Sequence, residues 1–111
     1  MKMNGSISRI LVKRIRSVAK VERIILFGSA AGGRMNPDSD LDILVLKAGR
    51  KIARGEAAKI REAIGHVGYP VDVMVLPVAR FERFKETIGG IEYPANRYGK
   101  ILYATRSGAP A

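Results

Sequence analysis

The sequence predicts an α/β (α+β) domain, a small mixed β-sheet of three to four strands packed by helices. Three short apolar runs rich in β-branched residues, at 23–27, 40–46 and 71–76, have the length and composition of buried strands. Around them lie stretches whose apolar residues recur every three or four positions, the spacing of helices packed on a sheet. The chain has 111 residues, of which 47% are apolar. That is enough for one domain burying roughly two-thirds of its unfolded surface. Residues 1–106 are expected to form this domain, with 107–111 as a flexible tail.

Each element has its own signal. Ile7, Ile10, Leu11, Ile15 and Val18 predict an amphipathic helix over 6–20, with Ser6 or Ser8 as its cap. Arg23 to Phe27 is a strand that stops at Gly28. The stretch 30–37 holds Gly32, Gly33, Asn36 and Pro37, hence a brief helical turn and then a loop. Leu41, Ile43 and Val45 alternate with Asp40, Asp42 and Leu44, giving a second strand whose start carries both acids. Ile52, Ala57, Ile60, Ala63 and Ile64 predict a long second helix closed by Gly65 or Gly68. Val71 to Leu76 is the third strand, ended by Pro77. A helix from Val78 to about Thr87 follows, with Phe81 and Phe84 on one side. Gly89, Gly90 and Pro94 break the chain, and Ile101 to Tyr103 suits a short last strand.

Composition removes several kinds of chemistry. The chain has no cysteine, so it has neither a disulfide framework nor a thiolate zinc site. His66 is the only histidine, which argues against His-rich metal centres and a Ser-His-Asp triad. No apolar run approaches the ~20 residues that span a bilayer. Lys13, Arg14, Arg16 and Lys20 interrupt the first helix, so it does not resemble a signal peptide. A cytoplasmic location, without membrane association, is expected. The net charge of +10 is compatible with nucleic acid, an acidic partner protein or a solvated basic surface. The cations of the first helix (Arg9, Lys13, Arg14, Arg16 and Lys20) spread around several faces, so nucleic acid is not the favoured partner.

The chemistry concentrates in the acids. All four aspartates, Asp38, Asp40, Asp42 and Asp72, lie in or beside the start of the second and third strands. Carboxylates at i and i+2 on a strand point to one face, where they repel unless a cation compensates. An aspartate inside an apolar strand, as at Asp42 and Asp72, is costly unless paired or ligated. All-oxygen sites suit Mg²⁺ or Mn²⁺, and Mg²⁺ usually arrives with substrate phosphates. Gly28 lets the backbone approach a phosphate, and Ser29 opens a turn with free amides and a hydroxyl donor. These are the parts of a metal-dependent phosphate-transfer site. In such a site Asp40 and Asp42 would be shared by two cations, Asp72 would complete the second, and Asp72 could accept the proton of an attacking hydroxyl. Arg34, and less favourably Lys47, are the cations to neutralise the leaving group.

The run Phe27-Gly28-Ser29-Ala30-Ala31-Gly32-Gly33, followed by Asp38-Ser39-Asp40-Leu41-Asp42-Ile43-Leu44-Val45, resembles the polymerase-beta-like nucleotidyltransferase superfamily. Pro70-Val71-Asp72-Val73 and the chain length are similar to its minimal nucleotidyltransferase (MNT) branch, as is Arg97 to Tyr103 to that branch's ending. The resemblance implies a palm fold, Mg²⁺ with Mn²⁺ as substitute, ATP as substrate, and transfer of AMP to a hydroxyl. It also implies a HEPN-domain toxin as partner, on which an MNT antitoxin adenylylates a tyrosine, and assembly into a complex with it. The family commonly has an arginine before the second loop glycine, where this chain has Gly32, with Arg34 two residues on. That departure keeps open an alternative, a catalytically weak antitoxin that neutralises its partner by stoichiometric binding.

Overall fold

The computed structural model describes residues 5–28, 31 and 40–105. The elements run α1 (Gly5–Val18), β1 (Arg23–Phe27), β2 (Leu41–Lys47), α2 (Glu56–Ile64), β3 (Val71–Pro77), α3 (Val78–Phe84), α4 (Glu92–Tyr98) and β4 (Lys100–Ala104). The four strands form one mixed sheet in the order β3-β2-β1-β4. β1 pairs antiparallel with both β2 and β4, whereas β2 and β3 are parallel and joined through α2.

Strand alternation divides the core into two layers. Ile24, Leu26, Leu41, Ile43 and Val45 pack with Leu11 and Ile15 of α1 and Ile60 and Ile64 of α2. Ile25, Phe27, Leu44 and Leu46 pack on the other face with Phe81 of α3 and Ala95 of α4. The period-2 side-chain pattern of the central strands therefore feeds both helical layers.

Four expectations need correction. α1 starts at Gly5, so Ser6 and Ser8 lie inside it and not at its cap. α2 starts at Glu56 and not near Ile52, because Gly55 adopts φ +80 and interrupts any helix before it. α3 ends at Phe84, and only Phe81 of its two phenylalanines is buried. α4 was not expected, since Pro94 reads as a breaker. Pro94 instead occupies the first turn of α4, where its missing N–H has no intrahelical partner to lose.

Candidate active site

Sheet register assembles the acids. Asp42 lies opposite Phe27 on β1 and opposite Asp72 on β3, so Phe27, Asp42 and Asp72 form a row across three strands. Asp40 precedes β2 and is exposed. The Leu41 amide donates to the Pro70 carbonyl at 2.8 Å, which locks the entrances of β2 and β3 together. Gly28 ends the adjacent strand with φ +74, and the Ala31 amide donates to its carbonyl at 3.2 Å. A Cβ at Gly28 would overlap the Asp42 carboxylate. Glycine is favoured there twice, by the left-handed turn and because any Cβ would have to displace the carboxylate.

Among the described residues the electrostatics are those of like charge without a counter-ion. Burial pushes the Asp42 carboxyl above its ordinary value, and the charges of Asp72 and then Asp40 push it further the same way. Among the described residues none of the three aspartates makes a salt bridge. The expectation that Asp72 is desolvated does not hold. β3 is an edge strand and Asp72 is exposed, whereas Asp42 on the inner strand is half-buried. Among the described residues no three acidic or histidine side chains stand close enough to grip an ion as they are. The donor chemistry nonetheless fits a hard divalent cation. The oxygens are carboxylate, and a cation would relieve the repulsion that raises Asp42.

The remaining sequence candidates separate. Ser29, Arg34 and Asp38 lie outside the described residues. Lys47 is at the far end of β2, roughly 17 Å from Asp42 at the usual strand rise. There it donates to Glu56 at 2.6 Å, so it takes no part in the acidic site. His66 is exposed past the end of α2. Besides the exposure of Asp72, the closeness of Gly28 to Asp42 is a feature of the site that residue types did not signal. The register that sets Phe27 opposite Asp42 is a tertiary pairing that no local spacing gives.

The nucleotidyltransferase-domain family model matches residues 8–97, most of the chain and all of these acids. The chain belongs to the nucleotidyltransferase domain family. The fold of this nucleotidyltransferase is also that of chains in solved toxin–antitoxin structures. One, a toxin–antitoxin with AMP-PNP, is 21% identical over 90% of this chain and 75% of that chain, with a TM-score of 0.62. A second, the Shewanella oneidensis tri-AMPylated HEPN toxin in complex with an MNT antitoxin, is 20% identical over 95% of this chain and 76% of that one, with a TM-score of 0.62. A third, a mutant toxin–antitoxin pair MntA–HpeT, is 20% identical over 95% and 77%, with a TM-score of 0.64. No curated protein matches the sequence. Among the described residues no helix is long and apolar enough to cross a membrane.

Proposed function

We infer that this nucleotidyltransferase transfers AMP from ATP to a hydroxyl, and that its acceptor is a tyrosine of a HEPN-domain toxin for which it is the antitoxin. The observation that carries the reading is the row from Phe27 through Asp42 to Asp72, in which like-charged carboxylates cluster beside the Gly28 turn. The AMP-PNP-bound and tri-AMPylated neighbours support the choice of adenine nucleotide and of protein acceptor.

Asp40, Asp42 and Asp72 would hold Mg²⁺ or Mn²⁺, whose charge, when bound, neutralises the triphosphate and the departing pyrophosphate. The chain's own groups have separable roles. The Gly28 turn brings backbone close to the phosphates, and Ser29 and Arg34 are the proposed phosphate contacts. Asp72, exposed on the edge strand, is within reach of an incoming protein hydroxyl and accepts its proton. The hydroxyl oxygen forms a bond to the α-phosphorus as the bond from that phosphorus to the bridging oxygen of the β-phosphate breaks. Pyrophosphate leaves on the opposite side, and AMP remains on the acceptor.

Incubation with the HEPN protein, Mg²⁺ and ATP labelled at the α-phosphate tests the reading. Label on a tyrosine of that protein is the expected result, and a folded sample that transfers none would overturn it. Gly32 in the place of the family arginine favours a second reading, neutralisation by binding alone. Full neutralisation by Asp42→Asn at equal dose would decide for that reading.

A further inference from the structure

The basic residues of α1 are not spread evenly once the helix is packed. Arg14 turns inward, where its Nη1 donates to the carbonyls of Ile64 at 2.5 Å and His66 at 3.4 Å and closes the end of α2. Arg9, Lys13 and Arg16 remain exposed along one side, and Lys20 continues their line past the helix end. Their spacing of four, three and four residues is that of a single helical stripe, roughly 16 Å long at 1.5 Å per residue. No acidic residue occurs between Gly5 and Val21, and none of the four makes a salt bridge among the described residues.

The stripe borders a groove against the sheet edge. Arg9, Lys13 and Arg16 line a cavity of about 510 Å³ with Leu102, and Arg16 and Lys20 line the adjoining one of about 460 Å³ with Tyr103. A bulge makes this edge. Ile24 pairs with Tyr103 and Ile25 with Ile101, so Leu102 is the extra residue, and both Leu102 and Tyr103 pack on the α1 side. The Arg16 guanidinium lies over the Tyr103 ring, 4.4 Å from its centre. Glu22, the acid at the far end of the groove, accepts a hydrogen bond from the Thr105 hydroxyl at 2.6 Å.

From these features we propose that the α1–β4 groove binds a single-stranded nucleic-acid backbone. A linear run of cations along a groove is the arrangement that tracks a phosphodiester chain. A polynucleotide supplies one charge per residue in regular sequence, which an acidic protein surface seldom matches over ~16 Å. This site is separate from the aspartate row and needs neither ATP nor a divalent cation. Its test is therefore independent of the transferase reading.

Fluorescence anisotropy with labelled single-stranded 12-mers of RNA and of DNA, at 50 and 200 mM salt without nucleotide, is the experiment. Three to four phosphate contacts predict that affinity falls about 20- to 50-fold between these salts. Lys13→Gln/Arg16→Gln should weaken binding at least tenfold at 50 mM and flatten the salt slope by about 1.4. Arg50→Gln/Lys51→Gln removes the same charge from a different surface and should change binding less than threefold. Equal binding of the two strands identifies the backbone alone as ligand, and preference for RNA adds recognition of its 2′-hydroxyl. Circular dichroism verifies the fold of each variant. Three results would overturn the proposal: no binding at 50 mM salt, equal loss in the two double variants, or a 12-residue polyglutamate bound as tightly as the oligonucleotides. The last would make the groove a surface for an acidic protein.

Discussion

The two ends of β2 treat charge in opposite ways. At its start, Asp42 stands beside Asp72 and near Asp40 with no cation among the described residues, and its carboxyl is pushed up by burial and by both neighbours. At its end, Lys47 donates to Glu56 at 2.6 Å. Glu56 is buried, and the hydrogen bond and charge of Lys47, helped by Lys59, hold its carboxyl below the ordinary range against the cost of burial. One ion pair is complete and serves the fold. The other cluster has no counter-ion among the described residues, and burial and like charge both oppose ionisation of Asp42. Arg23 makes the same point. It is buried on β1, yet it donates to Glu82 at 2.7 Å and lies over the Phe81 ring.

The largest expected effect breaks the open end. Asp42→Asn keeps the shape of the side chain and removes its charge, so AMP transfer should drop at least ~100-fold, about 2.7 kcal/mol of transition-state stabilisation. Label transfer from ATP at saturating Mg²⁺ measures it. Activity within tenfold of the parent would mean that the acidic row is not where transfer occurs. Breaking the closed end has a different signature. Glu56→Ala leaves Lys47, itself largely buried, without its partner, and should cost about 1–2 kcal/mol in urea unfolding while transfer per folded molecule stays unchanged.

Gly28→Ala comes next and sharpens the contrast, because it acts through both backbone and charge. The left-handed conformation alone costs a non-glycine residue about 1–2 kcal/mol. The added methyl group must also displace the Asp42 carboxylate. A double-mutant cycle with Asp42→Ala separates the two. The contact part of the penalty should vanish in the Asp42→Ala background, and the backbone part should persist. Strict additivity would show that Gly28 and Asp42 do not meet.

Much of this was legible in residue order. The strands at 23–27 and 71–76, the aspartate inside an apolar run and the glycine stop before it all follow from local chemistry, although β3 runs on through Pro77. The illegible parts depend on partners distant in sequence. Asp72 reads as desolvated, but sheet order puts β3 at an edge and leaves it exposed. Pro94 reads as a breaker, but its effect depends on which helical position it takes. Arg14 reads as one of five surface cations until its two carbonyl acceptors, about fifty residues away, are known. Burial of Arg23 likewise rests on Glu82, 59 residues on.

The smallest expected effect is also the most direct comparison of the two ends, because pH moves them in opposite senses. A carboxyl raised in the folded state, as at Asp42, penalises folding when ionised. The penalty is present above the raised pKa and is relieved as pH falls through it toward the ordinary value of 3.8. A carboxyl lowered in the folded state, as at Glu56, adds stability above its ordinary value of 4.5 and loses it as pH falls through the folded pKa. Without divalent cation, Asp42→Asn should therefore be more stable than the parent at pH 7 by roughly 0.2–1 kcal/mol, the scale of like charges facing across strands. That advantage should shrink on acidification toward pH 3.8. Glu56→Gln should be the less stable variant at pH 7, and its deficit should close below pH 4.5. Urea denaturation of the three proteins at pH 7 and at pH 3.8 measures the crossing. Mg²⁺ at pH 7 should then stabilise the parent and not Asp42→Asn, reversing their order, because an ion bound only by the folded chain adds stability that grows with the logarithm of its concentration above Kd. If Asp42→Asn is no more stable than the parent without the ion, the aspartates do not repel and the open end of β2 is not held in readiness for a cation.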